Sequence, residues 1–451
     1  MYPLTSGLYP RQLRNLMKRA VDDWSGQLID FLPPETRERC QLLDLRQAVV
    51  QAHFPDNYVM KDNARKRLAF DELLLIQLGV LSKKRDWQEG QPGNAFVVNM
   101  GLINRFLSGL PFTLTKAQER VLHEILSDLQ QPKPMSRLLQ GEVGSGKTVV
   151  AMIALLASVD SGYQGALMAP TEILAEQHFS NICRLLSKVS TANYVENNVC
   201  RYEGLFSRPV TFSLLTGKLA EKEKATIQQG IGDGEIDIAI GTHALIQKGV
   251  EFNKLGLVVI DEQHRFGVLQ RSALRQKGFN PHVLVMTATP IPRTLALTLY
   301  GDLDISVINE LPPGRQVIKT KWLTSRHRDQ AYDFIRKQVA ARHQAFIICP
   351  LIEESDNIEA KAAVAEYERL SREVFPDIRL GLLHGRMPSD EKDEVMQSFR
   401  DGELAILVST PVVEVGIDVP NATVMLVEAA DRFGLSQLHQ FRGRVGRGES
   451  Q

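Results

Sequence analysis

Eight residues, Gly141-Glu142-Val143-Gly144-Ser145-Gly146-Lys147-Thr148, set three glycines, a lysine and a hydroxyl in the spacing G-x-x-x-x-G-K-[ST]. Glycines let consecutive backbone N–H groups curl around an anion, and a helix starting at that point adds a favourable dipole. The chemistry is phosphate binding. A strand-like run, Arg137 to Gln140, precedes the loop and a helix-forming run, Val149 to Leu156, follows it, which is the context the motif requires. In that context Lys147 is expected on the β and γ phosphates of ATP and the Thr148 hydroxyl on Mg²⁺.

A second element supplies acids. Leu257-Val258-Val259-Ile260-Asp261-Glu262-Gln263-His264 places a carboxylate at the end of an apolar run. A buried carboxylate is costly unless something compensates it, and Mg²⁺ would do so at Asp261. Glu262 would then orient and polarise a water, which suits hydrolysis rather than transfer. In Phe112 to Gln118, Phe112 could stack on adenine with Gln118 bonding to it; the same residues also read as an ordinary helix start capped by Thr115.

The run Gln437 to Gly448 spaces Arg442, Arg444 and Arg447 between glycines. Arginines at this spacing can converge on one anion, so Arg444 and Arg447 are candidate fingers for ATP; a solvated basic turn is the other reading. Val413 to Pro420 contains Gly416 and Asp418, which suit either a coupling role or a plain acidic loop.

These residues need a frame. Residues 1 to about 90 are helical in character, with Ala64 to Leu78 free of Gly and Pro, and suit a packing or linker segment. Asp86 to Ala95 reads as a boundary loop. From about residue 115, apolar strands alternate with helical patterns: 137–140, 166–169, 236–240, 257–260 and 283–286. Such runs indicate a parallel sheet covered on both faces. Glu310-Leu311-Pro312-Pro313-Gly314-Arg315 breaks the series, and strands resume at 345–349, 379–383, 404–408 and 423–427. The expected architecture is α/β: a helical segment over 1–95, then two tandem parallel-sheet domains over 96–311 and 312–451, the first with the phosphate-binding loop.

Composition narrows the setting. Apolar residues make up 43% and charged residues 24% of the 451, ordinary values for a globular chain with large cores. Lys plus Arg equals Asp plus Glu at 53 each, so charge alone gives no sign of a nucleic-acid binder. Cys40, Cys183, Cys200 and Cys349 show no C-x-x-C spacing, which argues against a disulfide framework or a zinc module and fits a reducing cytoplasm. Charged residues interrupt the first thirty positions, and no long apolar run suggests a membrane span.

Several further runs carry a family resemblance: Ala169-Pro170-Thr171-Glu172-Ile173-Leu174, Gly241-Thr242-His243-Ala244, Asp261 to Val268, Thr287-Ala288-Thr289-Pro290-Ile291-Pro292-Arg293-Thr294 and Arg432 to Gln440. On these the chain resembles the superfamily 2 helicases, and among them the RecG family of bacterial ATP-dependent DNA helicases. The resemblance implies two tandem RecA-like P-loop domains forming a DNA motor that couples ATP hydrolysis to branch migration and fork reversal in recombination and repair. It implies a monomer acting on branched or forked DNA, with single-stranded DNA-binding protein as a further partner. Thr171, Thr216, Gly217, Thr242, His384, Gly385 and Thr410 would line a phosphate track along one strand. Gln263, His264, Thr287, Thr289, Gly416 and Asp418 would couple hydrolysis to domain movement. Threonine hydroxyls and backbone amides hold phosphates without a basic surface, which reconciles such a track with zero net charge.

Departures from the family pattern accompany the resemblance. Glu142 stands where the family more often has Asp, and Pro411 follows Ser409-Thr410 where another Thr is usual, removing a backbone donor. The N-terminal residues resemble the segment following the family's oligonucleotide-binding wedge domain. The chain ends before the expected final strand and translocation hairpin. Two other readings therefore stand beside a RecG-type motor: the related transcription–repair coupling motor, and an ATP-dependent binding module that no longer separates strands.

Overall fold

The structure, a computed structural model, describes residues 7, 9–90, 92–196, 198–247, 249–261, 277–289, 303–312, 318–350, 356–411, 419 and 421–446. Two compact units emerge: residues 1–87 with 292–302, and residues 88–291 with 303–451.

The first unit contains helices α1 (Pro10–Trp24), α2 (Pro34–Cys40), α3 (Leu45–His53) and the greater part of α4 (Tyr58–Gly90). Its centre is ionic. Arg67 of α4 is fully buried; its guanidinium grips Asp30 through Nη1 and Nη2 at 2.8 and 2.7 Å, Asp71 through Nε at 2.9 Å, and the Leu43 carbonyl at 2.7 Å. Asp30 also accepts from the amides of Leu32 and Leu45. The Arg67 hydrogen bond holds the Asp30 carboxyl well below the usual carboxylate range. Each of the three guanidinium nitrogens has a partner, which makes so buried a charge tolerable and fixes the α3–α4 register. The boundary loop expected over 86–95 is corrected here: α4 continues to Gly90, because a run of helix formers carries the helix into it.

In the second unit α5 (Met100–Ser108) and α6 (Lys116–Leu129) precede a nine-stranded sheet. Its strands are β1 (Ser136–Gly141), β2 (Gln164–Met168), β3 (Ala192–Glu196), β4 (Val199–Glu203), β5 (Val210–Leu215), β6 (Ile238–Gly241), β7 (Leu255–Ile260), β8 (His282–Thr287) and β9 (Asp304–Ile308). Their spatial order is β3-β4-β5-β6-β2-β7-β8-β1-β9. From β5 to β9 every pairing is parallel, whereas β3–β4 and β4–β5 are antiparallel. The sheet is therefore mixed at one end. The links at 197–198 and 204–209 are too short for a crossover, so only hairpin pairing is open to them. The helices between strands are α7 (Lys147–Asp160), α8 (Glu172–Leu186) and α9 (Glu221–Asp233). α7 is apolar around its whole circumference and buried from Val149 to Val159, as expected for a helix enclosed by neighbours.

A second, four-stranded parallel sheet follows, ordered β11-β12-β10-β13: β10 (Gln344–Ile348), β11 (Leu380–Leu383), β12 (Ile406–Ser409) and β13 (Ala422–Val427). Helices α10 (Arg328–Ala340), α11 (Asp356–Arg369), α12 (Ser389–Arg400) and α13 (Leu435–Arg442) accompany it. Alternate residues of β10 feed two cores. Phe346 and Ile348 meet Phe399 and Phe441 on one face, while Ala345 and Ile347 meet Tyr332 and Phe375 on the other. Among the described residues, no helix is long and apolar enough to cross a membrane.

Candidate nucleotide and strand-binding edge

Parallel strands share a direction, so the loops after β5, β6, β2, β7, β8 and β1 leave from one edge of the first sheet. Ligands of open α/β sheets bind at such carboxyl edges.

The phosphate-binding loop leaves β1 at Gly141 and enters α7 at Lys147. Gly144 and Gly146 have φ of 80° and 86°, a region that strains any side chain. A Cβ on Gly146 would also lie 2.1 Å from Gln118 Nε2. Ser145 N–H closes a turn onto the Glu142 carbonyl at 3.0 Å, and buried Ser145 Oγ has no hydrogen-bond partner among the described residues. Lys147 is buried, and its ammonium donates to the Gly141 and Glu142 carbonyls at 2.8 and 3.0 Å.

Gln118 sits beneath this loop. Its Nε2 donates to the Ser145 carbonyl at 2.8 Å, and its Oε1 accepts from Thr115 N–H in a capping box that starts α6. The Thr115 helix cap is thus present, and the Gln118 side chain braces the loop through it. At the same helix start Glu310 accepts from Ala117 N–H at 3.0 Å.

Asp261 follows β7 and is buried, with Oδ2 2.7 Å from Nε2 of buried His178 on α8. Sequence spacing assigns His178 no role, because it does not show that α8 carries the imidazole over the end of β7. Thr287, the last residue of β8, and Thr289 just beyond it are buried with their hydroxyls 2.8 Å apart, so the two residues form one polar turn.

The strand-track candidates occupy the next part of the edge. Thr171 caps α8 after β2, Thr216 and Gly217 follow β5, and Thr242 follows β6. Gly217 N–H donates to Glu172 at 2.9 Å, tying the β5 loop to α8. In the second sheet, His384 and Gly385 follow β11 and Thr410 follows β12. His384 Nδ1 is buried with no hydrogen-bond partner among the described residues, and burial with the Lys392 and Arg386 charges pushes its pKa down.

The end of α13 reaches the phosphate-binding loop. A Cβ on Gly443 would lie 2.6 Å from that of Val143, so only glycine allows this approach. Arg442 Nη2 lies 3.5 Å from Glu142 Oε1, and His439 Nε2 lies 3.9 Å from the same oxygen. Glu142, the departure noted in the loop, thus meets the second α/β domain. Arg444 is buried one residue beyond Gly443. Glu262, Gln263, His264, Gly416, Asp418 and Arg447 lie outside the described residues.

Comparison with known proteins places this geometry. Residues 115–298 match the DEAD/DEAH box helicase family, and 327–449 match the helicase conserved C-terminal domain. The chain is 51% identical over 451 residues to the ATP-dependent DNA helicase RecG of Synechocystis, covering all of this chain and 52% of that protein. It is 47% identical over 448 residues to the RecG of Thermotoga maritima, covering 99% of this chain and 55% of that one. The chain spans about half the length of these curated relatives. A solved structure of RecG bound to a three-way DNA junction superimposes with a TM-score of 0.76 at 43% identity, over 99% of this chain and 56% of that chain. Over the length it shares with them, the chain is a homologue of the RecG helicases, and the domains it carries match a DEAD/DEAH box domain and a helicase conserved C-terminal domain.

Proposed function

We propose that the chain is an ATP-driven DNA motor acting on branched DNA, as a translocase in fork reversal and branch migration. One observation carries this reading. The phosphate-binding loop, Asp261 and the Thr287 turn share a single sheet edge with Thr171, Thr216 and Thr242, and the end of α13 meets that edge at Val143. Nucleotide state and strand grip would thereby be joined through one sheet. The RecG solved with a three-way junction supports branched DNA as the substrate class.

Lys147 would release the loop carbonyls for the β and γ phosphates, with the Gly141 to Gly146 amides closing around them. Thr148 and Asp261 offer the oxygen donors a hard cation takes, and an imidazole fixes one Asp261 oxygen, so the residues fit Mg²⁺. Mg²⁺ when bound would neutralise charge between the β and γ phosphates. Glu262 would orient the water, and Arg444 with Arg447 would stabilise transition-state charge from the second domain. Gln263, His264, Thr287, Thr289, Gly416 and Asp418 would pass the change on. Thr171, Thr216, Gly217, Thr242, His384, Gly385 and Thr410 would hold one strand's phosphates. Domain limits at 95 and 311, a monomeric state, a cytoplasmic setting and single-stranded DNA-binding protein as partner belong to the same proposal.

The test is ATPase activity with and without forked DNA, paired with strand displacement on the same fork. Stimulation with displacement is expected. Stimulation without displacement would leave a binding module that no longer separates strands, and no stimulation by any DNA would overturn the motor reading.

A further inference from the structure

One pair of sulfur atoms lies in contact away from the nucleotide and strand edge. Cys183 is in the last turn of α8 and Cys200 in the middle of β4, with Sγ atoms 2.8 Å apart. A disulfide bond is about 2.05 Å. Both are free thiols, as are Cys40 at the end of α2 and Cys349 after β10. Tyr202, two residues along β4, holds the pair in register: its hydroxyl donates to the Cys183 carbonyl at 3.0 Å, and its ring stands edge-on to Phe212.

Exposure separates the two sulfurs. Cys200 is fully buried and Cys183 is half-buried, so a small reagent reaches Cys183 first. The hydrogen bond shared with Cys200 makes the Cys183 thiol the more acidic, while the same contact pushes the Cys200 thiol up. The accessible sulfur is therefore also the better nucleophile. A buried cysteine serving only as a small apolar residue needs no sulfur neighbour at this range.

We propose that Cys183 and Cys200 form a redox modification site, a dithiol that small disulfide oxidants of the oxidised-glutathione class convert into an intramolecular disulfide. The Cys183 thiolate attacks the reagent, forming a mixed disulfide and releasing one glutathione thiolate. Cys200, losing its proton to that thiolate or to solvent, then attacks the Cys183 sulfur and expels the second glutathione. Two thiols are oxidised and one disulfide reagent is reduced to two thiols. The new bond joins the last turn of α8 to β4. α8 is the helix that Thr171 caps and whose His178 holds Asp261, so oxidation anchors the element linking the two parts of the edge.

The experiment treats the folded 451-residue chain with oxidised glutathione and then counts thiols in denaturant. The count should fall from four to two, with the intact mass reduced by two hydrogens and one peptide pair joining 183 to 200; reductant should restore all four. Cys200→Ser, with Cys200→Ala in reserve should serine disturb the buried site, should instead retain glutathione on Cys183. Four surviving thiols in the native chain, glutathione remaining on its Cys183, or a bridge that involves Cys40 or Cys349 would overturn the proposal.

Discussion

The two edges of the nine-stranded sheet bury similar polar residues and use them in opposite ways. At the amino edge, Gln164 begins β2, donating Nε2 to the Ile231 and Ile236 carbonyls at 2.9 and 2.7 Å and accepting from Lys254 N–H at 2.9 Å. Asp237, just before β6, accepts from Arg208 and from Thr211 N–H. His282 begins β8, accepting from Met135 N–H at 2.9 Å and donating to the Asn94 carbonyl at 2.5 Å. The second sheet repeats the device: Gln344 opens β10 and donates to the Phe399 and Leu404 carbonyls. Each side chain is matched to backbone that an incoming loop cannot satisfy by itself. At the carboxyl edge Lys147 donates to the loop carbonyls of Gly141 and Glu142 and Asp261 meets His178, while buried Ser145 Oγ has no hydrogen-bond partner among the described residues. Burial of a polar residue is thus no sign of function in itself. The edge it occupies, and whether the fold exhausts its hydrogen bonds, decide the matter.

The comparison can be broken at either edge. Lys147→Ala should lower ATP turnover by about 10²–10³-fold or more, since it removes a charge aimed at the transferring phosphate; the thermal midpoint should barely move. Normal hydrolysis by that variant would refute the site. His178→Ala, which removes the group holding Asp261, should cost about 10–100-fold, the usual range for a residue orienting a metal ligand. A raised Mg²⁺ requirement, partly recovered in His178→Asn, would distinguish positioning from collapse.

At the amino edge the expected signature reverses. His282 is buried, and burial pushes its pKa down to about 4. The unfolded chain holds that imidazole near 6.5, so it binds more protons than the folded chain between these values. Its stability contribution is therefore full above about pH 6.5 and declines as pH falls towards 4, by about 2–4 kcal/mol. Denaturant midpoints across that range should show the decline, and His282→Gln should flatten it. Gln164→Ala should destabilise by about 1–3 kcal/mol through orphaned carbonyls, while ATPase per folded molecule stays unchanged. A tenfold loss of turnover in either variant would erase the distinction between edges.

The smallest effect is expected on the strand track. Thr242→Val should weaken forked-DNA binding by about tenfold, the scale of one hydrogen bond to a charged group, and leave DNA-independent ATPase intact. Equal binding by Thr242→Val would remove that residue from the track.

Much of this was legible in the sequence. The phosphate-binding loop declares itself because three glycines, a lysine and a threonine at fixed spacing encode a local backbone shape, and local shape is what sequence spacing controls. The apolar strands of both sheets were readable for a related reason: strands buried on both faces cannot carry polar residues in their middles. The runs 137–140, 257–260, 283–286 and 345–349 fall within or against β1, β7, β8 and β10. The antiparallel β3–β4 extension gives no such signal, since Ala192–Glu196 and Val199–Glu203 mix polar and apolar residues and form no continuous apolar run. β9 gives none either, because it is half-exposed, with Asp304 and Val307 facing solvent.

What spacing alone could not determine are meetings between distant residues. That His178 holds Asp261, that Gln118 braces Ser145, and that Gly443 comes against Val143 each depend on elements far apart in the chain being brought together by the packing of helices on a sheet. The sequence by itself determined that a nucleotide loop exists and which strands carry it, because those are properties of contiguous residues. Tertiary structure alone decided which buried polar groups serve the fold and which stand at the working edge, because a hydrogen bond counts as spent only once its partner is known.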